Sequence, residues 1–417
     1  MPRSPRVANL GIDAARLMDR LTALGRVGAL PGGGVCRLAL TEADRQGREL
    51  VVGWMKDLGL AVTVDRIGNV TGLRPGTEDG PPVMIGSHID TVATGGLYDG
   101  ALGVLAGLEV VNALNDAAIR TRRPLAVAFF TDEEGARFHP DMMGSAVLSG
   151  RLDLAKALAT VGIDGAVLGD ELARIGYAGD APVGAIAAHC YLELHIEQGP
   201  VLDAEGVAIG AVTGVQGIYW TEYRFTGQTN HAGTTPMSAR HDAGHVAARL
   251  AVEARRVALD VGGAQVATVG RLGVTPGLTN VVPGTALLTT DLRNTDGDAL
   301  DAADARLRAF AAEAAAAEGV ELDIRTLARF APVAFDPTLV GLVEDTARGL
   351  GHSVKRMPSG AGHDAQMFAP HCPTAMIFVP NRDGVSHNVT EHAEPAHIAT
   401  GAEVLLRVAL EKAGIAG

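Results

Sequence analysis

The chain has 417 residues, of which 47% are hydrophobic and 20% charged, and a formal net charge of −13. That length and apolar content predict two or three domains with sizeable cores and argue against disorder, while the acidic balance argues against nucleic acid or an anionic membrane as partner. Cys36, Cys190 and Cys372 are odd in number and far apart, so no disulfide framework is expected; with no apolar leader and no run of 18 apolar residues, the expected location is the cytoplasm.

Apolar residues near a 3.6-residue period predict helices over 12–26 and 41–59. The alternating VTVDRIGNVTGLR predicts a strand over 62–74, and PVMIGSHID a short buried strand over 82–90 that stops in polar residues. A helix over 101–114 opens just after Asp99-Gly100, and buried strands follow over 125–131 and 191–197. Strand, helix, strand in that order predicts an α/β fold with a central, mostly parallel sheet, whose ligands bind at the carboxyl ends of the strands. Near Gly214 the texture changes. A long alternating strand (218–227), a helix (242–258), strands over 267–274 and 284–294, an alanine-rich helix (299–318) and a strand (320–329) predict an α+β module with a four-stranded antiparallel sheet. A helix (336–350), a strand (374–380) and a terminal helix (395–413) return to the first texture. The expected organisation is a discontinuous catalytic domain, 1–212 and 330–417, with an inserted domain over 213–329.

The chemistry gathers at the predicted strand ends. The run LAVAFF leads into Asp132, Glu133 and Glu134, three acids that repel one another unless a dication sits between them. His88, Asp90, Asp99, Glu133, Glu134, His195 and His387 all fall at the same end of the predicted sheet. Carboxylates and imidazoles are the donors that hard or borderline divalent metals take. A lone histidine is more often structural, and a lone acidic triplet is usually a solvated run. The joint pattern predicts a metal centre.

The stretches GSHIDTVATGGLYDG, FTDEEGARF, LELHIEQGPVLD, GQTNHAGTTPM, SGAGHDA and GVSHN occur in that order and together resemble the hydantoinase/carbamoylase family of amidohydrolases, within the wider di-zinc aminoacylase and carboxypeptidase clan. The resemblance implies a di-metal α/β domain with an inserted α+β lid that also dimerises. It implies that Asp99 bridges two metals, with His88 and His195 completing one site and Glu134 and His387 the other. Glu133 is then the general base that takes a proton from the attacking water and returns it to the leaving nitrogen. His231 resembles the histidine that stabilises the developing oxyanion from the partner subunit. Asn280 and Arg293 resemble a substrate-binding pair, and an Arg suits a substrate carboxylate. Gln198, Gly360, Ala361 and His363 are expected to line the pocket. Asp90, two residues beyond His88, is expected to hold that imidazole from behind, and Asp132 to act as a structural cap.

His195 in HIEQGP resembles the carbamoyl-hydrolysing branch. The expected activity is metal-dependent hydrolysis of N-carbamoyl-L-amino acids to the amino acid, carbon dioxide and ammonia. β-Ureidopropionase, allantoate amidohydrolase and an aminoacylase-type amide hydrolase are the alternatives, and a non-catalytic metal-bound binding protein is the remotest. Two divalent ions are the expected cofactors, zinc first, with manganese, cobalt or nickel suiting the same donors. The expected partners are a small-molecule carboxylate substrate and a second copy of the chain. Tyr98 and Tyr219 stand where the family pattern differs, and are expected to reshape access or packing.

Overall fold

The structure, a computed structural model, describes residues 10–184 and 187–416. The chain separates into two compact units: the residues up to Thr213 together with those from Ala334 onwards, and Gly214–Val333. In chain order the first strands are β1 (Ala61–Val64), β2 (Val70–Arg74), β3 (Val83–His88), β4 (Leu125–Phe130), β5 (Cys190–Ile196) and β6 (Ile209–Val215). Then come β7 (Gly217–Thr226), β8 (Asn230–His231), β9 (Val266–Thr275), β10 (Val281–Val282), β11 (Thr285–Asn294) and β12 (Glu321–Phe330). The last are β13 (Val333–Ala334), β14 (Val354–Ser359) and β15 (Thr374–Val379).

A nine-stranded sheet in the order β1-β2-β4-β3-β5-β15-β6-β13, with β14 paired to β6, organises the first unit. Its centre is parallel: β4 with β3, β3 with β5, and β5 with β15. The flanking pairs β1–β2, β2–β4 and β15–β6 are antiparallel. The four central strands read LAVAFF, VMIGSH, CYLELHI and TAMIFV, and every residue in them is buried. Near-continuous apolar runs of this kind belong to strands covered on both faces. The helix Ala101–Asp116 packs on β3, and the helix Pro395–Ala413 on β15 and β5. All four central strands therefore deliver their carboxyl ends to one edge.

Two local features differ from the sequence expectation. The segment 62–74 is not one strand but the hairpin β1–β2. Asp65 Oδ1 accepts from the amides of Ile67 (3.0 Å) and Asn69 (2.9 Å), and Gly68 takes φ +83° to close the turn. The alternation of apolar residues continues through that turn, so periodicity does not reveal it. Between β4 and β5, Met143–Leu148, Leu154–Leu158 and Leu168–Arg174 form helices of five to seven residues, too short for a 3.6-residue period to mark.

The second unit is an antiparallel sheet in the order β12-β7-β11-β9. The helices Ala243–Val261 and Gly297–Glu318 pack on it. Their N-termini are capped by the Asp242 and Asp296 side chains, which accept from His245 N and from Asp298 N and Ala299 N. Tyr223, Phe225, Leu250, Leu288 and Leu307 meet in its core. Tyr219 belongs to that core as well, with the Arg329 guanidinium 3.9 Å from its ring centroid and its hydroxyl bonded to Asp301. Tyr219 is thus a packing residue of this unit. Among the described residues, no helix is long and apolar enough to cross a membrane.

Leu250 is fully buried between helix and sheet. Leu250→Ala is expected to cost about 2–5 kcal/mol. Trp220, in the same unit, reports it by fluorescence in a Trp54→Phe background. The Trp220 transition should move to lower denaturant; a loss below about 1 kcal/mol would contradict the packed core described.

Candidate active site

The parallel strands bring distant residues to one edge. His88 closes β3, His195 is the penultimate residue of β5, Glu133 and Glu134 follow β4, and His387 lies on the loop after β15. Asp99 sits just ahead of the helix Ala101–Asp116. Its carboxylate is shared: Oδ1 lies 3.2 Å from His195 Nε2 and 3.6 Å from His88 Nε2, while Oδ2 lies 3.3 Å from His387 Nε2. His387 Nε2 is in turn 3.3 Å from Glu134 Oε2. Two sets of ligand atoms therefore converge within 4.8 Å, His88–Asp99–His195 and Asp99–Glu134–His387, with Asp99 common to both. A third set, Glu193–His195–His363, shares His195. Glu133 belongs to none of them; its Oε2 is 3.4 Å from His88 Nε2.

The inner rings are aimed by the backbone. His88 Nδ1 donates to the Asp90 carbonyl at 3.0 Å and His195 Nδ1 to the Ile196 carbonyl at 2.9 Å, which turns each Nε2 lone pair toward Asp99. The expected hold of the Asp90 side chain on His88 is thus made by the Asp90 carbonyl instead. The strand ends at His88, so the alternation of a strand does not reach Asp90. The Asp90 carboxylate, 3.8 Å from the ring, accepts from the amides of Glu133 and Glu134, each at 3.3 Å. It fixes the loop that carries both acids.

Asp132 is not a cap. Both its carboxylate oxygens are buried without a hydrogen-bond partner among the described residues. The backbone carbonyls of Thr131, Asp132 and Glu133 take the amides of Gly144, Met143 and Met142 instead. Burial, and after it Asp90, pushes the Asp132 carboxyl well above its ordinary range.

The charge balance is the most telling property. Asp90, Asp99 and Glu133 are 2%, 4% and 7% exposed, and the Glu134 side chain 4%. Among the described residues none of the four forms an ion pair with Lys or Arg; their ion-pair partners are imidazoles, and the buried Arg37 guanidinium acts on Asp90 only from beyond ion-pair distance. Burial, with Asp99 next, pushes Glu134 up to about 8, and burial outweighs His88 to raise Glu133 well above its usual range. Burial alone would lower His88, but Glu133, Asp99, Asp90 and Glu134 reverse it and raise the ring well above an ordinary imidazole. The hydrogen bond to Asp99 lifts His387 to about 9. Buried carboxylates on this scale demand positive charge. Oxygen and imidazole donors in two convergent sets fit two divalent cations. The sets differ in access: the His88 and His195 side chains are 2% and 1% exposed, that of His387 51%.

Gln198 leans over the outer set. Its backbone is left-handed (φ +56°), and its amide donates to Asn381 Oδ1 at 3.0 Å. Its Nε2 donates to Asp99 Oδ2 at 2.9 Å, while its Oε1 is buried with no hydrogen-bond partner among the described residues. His363 does not line an open surface. It is 1% exposed, stands edge-on behind His195 with ring centroids 4.5 Å apart, and places Nε2 2.9 Å from Ser359 Oγ. Burial, and then His195, holds it well below the ordinary imidazole range, so it is neutral. Gly360 is exposed and Ala361 half-buried on the loop before it. Tyr98 is buried, edge-on to His392. Motif reading does not single out Asn381, Ser386 or Glu391, although the last two lie within GVSHNVTEH beside His387.

The second unit carries the remaining candidates. His231 is exposed, and its Nδ1 accepts from the amides of Gly233 (3.1 Å) and Thr234 (3.2 Å), which leaves the ring proton on Nε2. β8 pairs with β10, and Ala232 N donates to the Asn280 carbonyl, so His231 and Asn280 share one corner. Arg293 is elsewhere. It sits at the other end of β11, opposite Ile218, whereas Thr285 at the near end faces Thr226. Eight residues of strand separate those ends by roughly 27 Å. Asp291 grips the Arg293 guanidinium at 2.9–3.2 Å.

The chain is similar to known proteins over nearly its whole length. Residues 84–411 match peptidase family M20/M25/M40, a metal-dependent family. The N-carbamoyl-L-amino-acid amidohydrolase of Rhizobium meliloti is 44% identical over 98% of both chains. The N-carbamoyl-L-amino acid amidohydrolase of Geobacillus stearothermophilus is 40% identical, over 94% of this chain and 97% of its own. The crystal structure of a hydantoinase/carbamoylase family amidase from Burkholderia multivorans, 46% identical, superposes with a TM-score of 0.94 over 97% of this chain and 98% of that one. The chain belongs to peptidase family M20/M25/M40 and, within it, to the hydantoinase/carbamoylase amidases, hydrolases of carbon–nitrogen bonds.

Proposed function

We propose that this protein hydrolyses N-carbamoyl-L-amino acids at a two-metal centre. The observation that carries the reading is the divided carboxylate of Asp99, with Glu133 beside it and outside both ligand sets. In this reading His88, Asp99 and His195 hold one ion, and Asp99, Glu134 and His387 the other. When bound, such a pair polarises the scissile carbonyl and acidifies the attacking water. Zinc heads the candidates, since imidazole-rich sets suit it, and manganese, cobalt and nickel fit the same donors.

The chain's own residues then do the rest. Glu133, held by the Asp90 carboxylate through its amide, takes one proton from the water as oxygen adds to the ureido carbon. The Nε2–H of His231 donates to the oxyanion that forms. Glu133 returns the proton to the amino-acid nitrogen as that C–N bond breaks. The product amine leaves, and the carbamic acid left behind decomposes to carbon dioxide and ammonia.

Three features support a ureido acid as substrate. The relatives named above act on N-carbamoyl-L-amino acids by their names. The partnerless Gln198 Oε1 is an acceptor suited to the ureido NH2, which an N-acetyl group lacks. Arg293, steadied by Asp291, suits the carboxylate.

A homodimer, with the second unit as lid and His231 acting in the partner's site, completes the proposal. The separation of His231 and Asn280 from Arg293 along one sheet supports it: both ends of that sheet cannot surround one small ligand, so a shared site needs two lids.

Three outcomes test these assignments. Glu133→Gln should keep its metal by elemental analysis and lose about 10²–10⁴-fold in ammonia release from N-carbamoyl-L-amino acids; full turnover with full metal would sink the base. Within that assay, wild type should be silent on N-acetyl amino acids, and a preference for them would overturn the ureido reading. Mixing inactive His231→Ala with inactive Glu133→Gln subunits should restore activity in hybrid dimers, each having one intact composite site. No recovery in verified hybrids would place His231 in its own subunit's site.

A further inference from the structure

The loop after β15 carries a second acid that no role above uses. Glu391 is 5% exposed and faces Asp99 from a position 292 residues away in sequence. Its Oε1 accepts from the amides of Tyr98 at 3.1 Å and Asp99 at 3.2 Å. Its Oε2 accepts from Ser386 Oγ at 2.9 Å, and that hydroxyl also lies 3.2 Å from Asp99 Oδ2. One carboxylate thus holds Asp99 by its backbone and shares with Asp99 Oδ2, the oxygen that faces His387, the one proton of the Ser386 hydroxyl. The approach is close enough to require glycine opposite: a Cβ on Gly96 would sit 2.1 Å from Glu391 Oε1.

The two ligand sets depend on this contact unequally. His88 and His195 sit at strand ends and are aimed by their own Nδ1 bonds to backbone carbonyls. His387 has no strand beneath it. It lies at φ +53° on an irregular loop, half exposed, and its approach to Asp99 Oδ2 depends on that loop staying against residues 98–99. Glu391 makes two of the bonds that join the segments, beside those of Thr94 Oγ1 to the His387 carbonyl (3.4 Å) and Ser386 Oγ to Asp99 Oδ2 (3.2 Å), and its own amide is tied back to the Asn388 carbonyl at 3.0 Å.

We propose that Glu391 is the positioning residue of the outer metal site: it clamps the Asp99 segment to the His387 loop so that Asp99 Oδ2, Glu134 and His387 converge, while the inner set stands without it. The proposal rests on the two-metal reading, and on no change of charge at Glu391. An acceptor in the right place is what the geometry asks for, and a glutamine carbonyl oxygen can accept the same two amides.

The test counts metal rather than turnover. Purified full-length wild type, Glu391→Ala, Glu391→Gln and Ser386→Ala are stripped with chelator, titrated with zinc and read by elemental analysis and by competition with a chromophoric chelator. Wild type should bind two equivalents. Glu391→Ala should keep one tight equivalent and bind the second about 10–100-fold more weakly. Glu391→Gln should recover most of that loss, and Ser386→Ala, which breaks only the side-chain arm, should weaken the second ion by less than Glu391→Ala does. The retained tight equivalent and an unchanged far-UV circular dichroism spectrum separate this result from unfolding; if Glu391→Ala does not fold, selective loss of the second ion in Ser386→Ala carries the test. Two ions held as tightly in Glu391→Ala as in wild type, loss of both together in a folded variant, or a Glu391→Gln as defective as Glu391→Ala would each overturn the proposal. A single equivalent in wild type would overturn the two-metal reading itself and the proposal with it.

Discussion

Everything at the site follows from one constraint: four carboxylates are buried around the same imidazoles, and among the described residues none has a Lys or Arg ion-pair partner. Desolvation alone makes such a cluster unfavourable by several kcal/mol per charge. The direction in which its histidines shift, toward holding protons against the pull of burial, expresses the same deficit of positive charge. Cations relieve it, and the position of Asp99 decides how many. A carboxylate that turned both oxygens to one side would serve one ion. Here Oδ1 faces the strand-borne imidazoles and Oδ2 faces the loop-borne one.

The fold supplies this arrangement through parallel strands. Four buried strands can run parallel only with crossovers, and every crossover leaves from the same edge. That edge collects His88, the Glu133–Glu134 loop, His195 and the His387 loop without any of them being near in sequence. The scaffold also supports the two sides of the centre differently. His88 and His195 belong to strands whose residues are all buried, whereas Glu134 and His387 ride on loops held by side-chain bonds from Asp90, Asn381 and Glu391. Left-handed backbone at Asp132, Gln198 and His387 marks where those loops are bent into place.

Much of this was legible in the sequence, for definable reasons. Apolar runs that stop abruptly in polar residues identified the central strands and, with them, His88, Glu134, His195 and His387 as metal-ligand candidates at one end of the sheet; their division into two sets came from the family resemblance. Asp99 stood among the candidate acids at that end, and its shared role was implied by the resemblance alone. What escaped was set by contacts between segments rather than by local pattern. The β1–β2 turn hides inside a continuous alternation, and the short helices between β4 and β5 are below the length at which a period can be counted. Asp90 looked like a ring-holding acid because strand geometry was extended two residues too far. Asp132 looked like a cap because an acid often is one. His363 looked like a pocket residue because its motif sits beside the ligands, yet it packs behind His195. Glu391 carried no signal of its own, since the Asp99 segment it holds lies 292 residues away.

The claim on which the rest depends is that Asp99 is shared between two cations. Anomalous diffraction at the metal absorption edge, from crystals of metal-loaded protein, tests it directly. The account predicts two peaks about 3.5–4 Å apart, one among His88 Nε2, His195 Nε2 and Asp99 Oδ1, the other among Glu134, His387 Nε2 and Asp99 Oδ2. A single peak, or a second peak at Glu193–His195–His363 with none beside Glu134, would contradict it.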